Sequence, residues 1–122
     1  MDRTCFQAKW LKTFARNIAK KDLLKYVNAT GNYIWHIFSW ELLSKDQYLC
    51  GDDARKAYDA IEKSDAIYID WFNNNATKPL TCDLYTAKAL DAFIEVYVTD
   101  RSFNWTYIKT HESTCGPYFF RK

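Results

Sequence analysis

The sequence predicts a single α+β domain over residues 1–122, with about four mostly antiparallel strands and helices packed on one face. Three observations predict it. Phe6, Trp10, Phe14 and Ile18 recur every four residues, which is the apolar stripe of an amphipathic helix. Residues 66–72 and 94–110 carry short β-branched and aromatic runs interrupted by Asp100-Arg-Ser-Phe-Asn104, the pattern of strands joined by a turn. Only 3 Gly and 2 Pro occur in 122 residues, which argues against a disordered or collagen-like chain. A chain of this length forms one core, burying roughly two thirds of its unfolded surface.

Taken in order, residues 5–27 read as an N-terminal helical segment and residues 32–122 as the sheet-forming part. The first helix spans about 5–19. Asp22 is a cap candidate for a second short helix with Leu23, Leu24 and Val27, and Asn28-Ala-Thr-Gly-Asn32 is a turn. Tyr33-Ile-Trp-His-Ile-Phe-Ser-Trp40 has no charge on either alternating face and reads as a central strand. Residues 41–51 are polar and irregular. Asp52 or Asp53 caps a helix carrying Ala54, Ala57, Tyr58 and Ile61, with Lys63 at its C-terminal turn. Residues 66–72 form a strand with Ile67, Ile69 and Trp71 on one face, and 73–79 form a loop. Residues 83–93 are a short helix. A third strand, 94–99, points Ile94, Val96 and Val98 inward and pairs with a fourth at 105–110. The tail from Cys115 is too apolar for a free end and docks on the sheet.

The N-terminus has no apolar signal region, and no apolar run approaches the ~20 residues of a membrane span. Cys5, Cys50, Cys82 and Cys115 form no C-x-x-C pair, so reduced thiols in a cytoplasm are expected. The sequons at Asn28, Asn75 and Asn104 then read as chance matches. With no P-loop and no G-x-G-x-x-G, no cofactor is expected. Net charge is +2, but residues 1–30 carry +5, residues 41–100 carry −6 and residues 101–122 carry +3. The N-terminal cations read first as the wet face of a helix, and pI 8.3 falls short of a nucleic-acid footprint. Asp46, Asp52, Asp53, Asp59 and Glu62 are candidates for steering a basic protein partner.

Chemistry has little material in two histidines. His36, His111, Glu112 and Cys115 are the residue types of a metal or Cys/His site, but apart from the adjacent His111-Glu112 their spacing matches no metal interval. His36, inside an aromatic run, reads instead as a neutral imidazole bonded to a backbone carbonyl. No catalytic residue is assigned and no metal is expected. Aromatic rings are the stronger signal, with 5 Trp, 9 Tyr and 8 Phe. A sheet of this size has room for only some of them. Trp105, Tyr107, Tyr118, Phe119 and Phe120 cluster with Arg101 and Lys109, and are the candidate partner-binding residues.

Tyr33-Ile-Trp-His-Ile-Phe-Ser39, the run from Val96 through Phe103-Asn-Trp-Thr-Tyr107 to Thr110-His-Glu112, and Gly116-Pro-Tyr-Phe119 resemble a family of small uncharacterised proteins of Gram-positive bacilli and their prophages. The resemblance covers residues 31–120 and carries no activity, so no catalytic residue is transferred. It implies a prophage-type protein that binds and inhibits a larger bacterial protein. One phage protein of about this size inhibits a sirtuin-domain, NAD-depleting defence protein, and that kind of role is the expectation. The strand-turn-strand ending in His-Glu is also similar to small immunity proteins, whose partner would be a bacterial toxin. The remaining alternative is a small intracellular enzyme or metal-binding protein.

Overall fold

A computed structural model describes residues 1–122. Five helices surround one six-stranded sheet: α1 (Arg3–Phe14), α2 (Lys20–Tyr26), α3 (His36–Ser39), β1 (Tyr48–Cys50), α4 (Asp52–Ala60), β2 (Ala66–Asp70), β3 (Lys78–Pro79), α5 (Ala87–Leu90), β4 (Val96–Asp100), β5 (Trp105–Lys109) and β6 (Tyr118–Arg121). The α+β class stands. The sheet order is β1-β6-β5-β4-β2-β3 and every pairing is antiparallel.

Helix α1 starts where Asp2 accepts a hydrogen bond from the Cys5 N–H at 2.7 Å, the geometry of an N-cap. That bond holds the Asp2 carboxyl below its usual range. Phe6, Trp10 and Phe14 form its buried face. The helix ends at Phe14, short of Ile18, which still packs against the core. At α4, Gly51 is the cap, and Asp52 and Asp53 occupy the first turn, where their charge suits the helix dipole. Lys63 donates to the Ile61 carbonyl at 2.8 Å and to the Tyr58 carbonyl, closing the C-terminal end. Burial pushes this amine's pKa down.

Two readings of the sequence are corrected here. Residues 33–40 are not a central strand: they make a turn and the short helix α3. Ile34, Ile37 and Phe38 point inward at i, i+3 and i+4. An uncharged run satisfies a two-residue and a 3.6-residue period equally, so its pattern could not choose. Ile94 does not point inward either. It is 58% exposed, and β4 starts two residues later.

The docked tail is itself a strand, β6, seated between β5 and β1. With the expected strand at 33–40 lost and β1, β3 and β6 gained, the strand count goes from four to six. The β4–β5 hairpin forms as expected, from Val96↔Lys109 to Thr99↔Thr106. Its turn is pinned by Asp100, which accepts from the N–H of Asn104 at 2.6 Å and of Trp105 at 3.2 Å.

Strand alternation divides the core in two. Ile67, Ile69, Tyr97, Ile108 and Tyr118 face the expected helical layer, supplied by α1 and the 34–38 segment. Trp10 donates there to Thr106 Oγ1 at 2.9 Å. Val96, Val98, Trp105, Tyr107 and Phe119 face the shorter α4 and α5. A bidentate Arg55–Asp91 pair at 2.7 and 3.0 Å ties those two helices together.

Candidate functional site

The interior position of β5 and β6 decides the fate of the C-terminal aromatic candidates. Trp105, Tyr107, Tyr118 and Phe119 are all buried, because strands covered on both faces bury the rings on either side. Phe120 is half-buried and packs edge-on to Phe14 at 5.6 Å. Lys109 donates to the Phe93 carbonyl at 2.5 Å, and Arg101 is the one candidate of this set that is exposed, in the hairpin turn. Trp105, Tyr107, Tyr118 and Phe119 are therefore core rather than surface anchors. The steering candidates Asp46, Asp52, Asp53, Asp59 and Glu62 are all exposed. Asp59 also accepts from the Ala87 N–H at 2.8 Å.

Rings do reach the surface elsewhere. Trp40 is 52% exposed and Phe72 45% exposed, and a continuous run of rings joins them. Tyr26 lies 5.4 Å from Trp40, and Trp40 lies 6.5 Å from His36. His36 is 5.7 Å from Tyr33. Tyr33 is 4.8 Å from His111 and 6.4 Å from Phe72, and His111 is 5.7 Å from Phe72. Local structure places each ring. Gly31 ends the turn after α2 in the left-handed region at φ 105°, and a Cβ there would lie 2.9 Å from the Tyr33 ring, so glycine leaves room for it. Arg3 donates to the Trp71 and Asn74 carbonyls, fixing the turn that displays Phe72.

Beneath His111 sits a fully buried carboxylate, Glu95. Four donors converge on it: Trp35 Nε1 at 3.0 Å, the Tyr97 hydroxyl at 2.8 Å, the His111 backbone N–H at 3.2 Å and His111 Nδ1 at 2.7 Å. No acceptor faces it, which is the arrangement a carboxylate needs to remain buried. Burial first, then the Glu95 charge, push the Tyr97 phenol far above its usual value, so that hydroxyl stays a donor. With Nδ1 bonded to Glu95, the outer nitrogen of the imidazole is left for a ligand. Nε2 lies 3.8 Å from Glu112 Oε1.

Glu95 was not singled out in the sequence. Its signal was a lone acid two residues before Tyr97, on the face opposite Val96 and Val98, which the structure also buries. Glu112 does not orient His111 through Nδ1; Glu95 does. His36 is held as expected, with Nδ1 3.0 Å from the Tyr26 carbonyl, and also 2.7 Å from the Thr30 hydroxyl. Cys115 Sγ reaches Glu112 at 3.8 Å, and these two line a depression with Trp35, His36, Ser39 and Trp40. No three His, Cys, Asp or Glu side chains converge as metal ligands. All four cysteines are free thiols. No helix is long and apolar enough to cross a membrane.

The family described as Domain of unknown function (DUF4275) matches residues 3–119. No curated protein and no solved structure matches the chain.

Proposed function

The chain belongs to the DUF4275 family of domains of unknown function, and for this member we propose a non-enzymatic role: binding another protein through the aromatic surface centred on His111. One observation carries the reading. A continuous run of five rings from Trp40 to Phe72 crosses the surface, and these two ends are about half exposed. Large rings with few rotors and a polar atom among them are what protein interfaces use as anchors. The rigid placement of Tyr33 and His111 lowers the ordering cost of docking. Asp52, Asp53 and Asp59 on α4, with Asp46 and Glu62 nearby in the chain, lie apart from these rings and act on approach rather than in the contact.

The partner we propose is a larger bacterial protein that the chain inhibits by occupying its surface. The resemblance of residues 31–120 to prophage proteins makes an anti-phage defence effector, such as a sirtuin-domain NAD-depleting protein, the first to test. A toxin, bound by an immunity protein, is the second. The test compares capture from lysates of Gram-positive bacilli by the wild-type chain and by a Trp40→Ala/Phe72→Ala variant. Both substituted rings are exposed, so the variant folds. Retention of one bacterial protein by wild type, at least tenfold weaker with the variant, supports the reading. Equal retention by both refutes it.

The Glu95–His111 pair favours one second reading. An imidazole with Nδ1 on a buried carboxylate and Nε2 outward has the layout of a general base. A hydrolytic activity lost in His111→Gln would establish it.

A further inference from the structure

Net charge hides how the fold distributes it. Helix α1 lies on one face of the sheet and the acidic α4 on the other, so the two poles are separated by the sheet. On the outer face of α1, Lys9 and Lys12 stand three residues apart and so project from the same side, and Arg16 follows in the turn just after the helix. The end of β6 brings Arg121 and Lys122 to the same place. Two adjoining depressions, the larger of about 630 Å³, share Thr13, Arg16 and Lys122 in their walls. All five cations are exposed, and none is in an ion pair. No acidic residue lines either depression.

We propose that this groove binds the phosphodiester backbone of a nucleic acid without reading its sequence. Charge complementarity selects a polyanion. The walls select among polyanions. The exposed large apolar side chains of the molecule are Met1, Leu24, Trp40, Leu49, Phe72 and Ile94, and none of them borders the groove. An acidic protein would find no anchor there, whereas a phosphate backbone requires only cations. The rings in its walls, Phe14 and the half-buried Phe120, pack against each other at 5.6 Å, so base stacking is a minor contact beside the cations. The groove shares no residue with the aromatic surface around His111, so this site stands or falls independently of the protein-binding role.

Fluorescence anisotropy with a labelled 20-nucleotide oligothymidylate, at 50 to 200 mM NaCl, tests the proposal. With four to five phosphates neutralised, the log–log salt slope for a single strand is about −3. Lys12→Ala/Arg16→Ala removes two cations from the exposed face and makes the slope shallower by about 1.4, with binding at least tenfold weaker at 50 mM. Lys56→Ala, on α4, leaves both unchanged. Poly-glutamate of equal charge displaces the oligonucleotide poorly. The proposal is overturned by no binding at 50 mM NaCl, by a slope indifferent to Lys12→Ala/Arg16→Ala, or by displacement with poly-glutamate at equal charge.

Discussion

Replacing Glu95 by Gln tests whether the buried carboxylate organises the centre of the ring surface. The side chain keeps its shape but loses its charge and one acceptor. Its carbonyl oxygen can still receive Trp35 Nε1, the His111 N–H and His111 Nδ1, now as neutral bonds. The new amide faces the Tyr97 hydroxyl, which must turn to accept. Charge-assisted hydrogen bonds are worth about 1.5–3 kcal/mol and neutral ones about 0.5–1.5. Weakening the two shortest, from Tyr97 at 2.8 Å and His111 Nδ1 at 2.7 Å, costs about 2–3 kcal/mol in total. Glu95→Ala leaves buried donors with no acceptor and costs about 3–5 kcal/mol. Urea unfolding reads these values directly. With an unfolding entropy of about 2.1 cal/mol/K per residue, each kcal/mol lowers the midpoint of this chain by about 4 °C. Glu95→Gln is therefore expected to melt about 8–12 °C lower. A double-mutant cycle with His111→Gln should show coupling of about 1 kcal/mol or more. A Glu95→Gln variant within about 0.5 kcal/mol of wild type would refute the reasoning, because the carboxylate would then be holding nothing.

Other outcomes follow from the same geometry. Thr106→Val orphans the Trp10 indole N–H in the core and should cost about 1–3 kcal/mol by urea unfolding. Gly31→Ala meets both a positive φ and the Tyr33 ring; it should cost about 1–2 kcal/mol and shift the Tyr33 and His111 resonances in an NMR spectrum. Burial raises the phenols of Tyr58, Tyr97, Tyr107 and Tyr118 above their usual 10. Their folded forms keep protons that the unfolded chain gives up, so stability is complete below pH 10 and falls as pH rises beyond it. Absorbance at 295 nm should show these four ionising only as the chain unfolds.

Two helices were legible because each has one wet face, and the central hairpin because of its residue content and its polar turn. Phe6, Trp10 and Phe14 announced α1 because lysines fill the gaps between them. Ala54 and Tyr58 announced α4 between acids. Val96, Val98, Tyr107 and Ile108 announced the central hairpin through β-branched content and the polar turn after Asp100. What escaped had no such contrast. The 33–40 run lacks a charged residue to mark its period, so its pattern fits a strand as well as the helix α3. The tail's docking was legible from its apolar content, but β6 as an interior strand depended on pairing with β5 and β1, a long-range choice that local pattern does not encode. That placement moved Trp105, Tyr107 and Phe119 from surface candidates to core, and left the surface rings to Tyr33, Trp40 and Phe72. Glu95 escaped because a single acid in a strand normally signals the wet side. Only the meeting of Trp35, Tyr97 and His111, separated by up to 76 residues in the chain, makes an inward carboxylate tolerable.

Site-specific photo-crosslinking in bacilli tests the protein-binding role most directly. A photoreactive phenylalanine analogue is placed at Trp40, at Phe72, or at Lys56 on the opposite face. The predicted result is a covalent adduct with the same larger bacterial protein from positions 40 and 72, and none with it from 56. No adduct from 40 or 72, or an identical set from all three positions, would contradict a binding surface centred on His111.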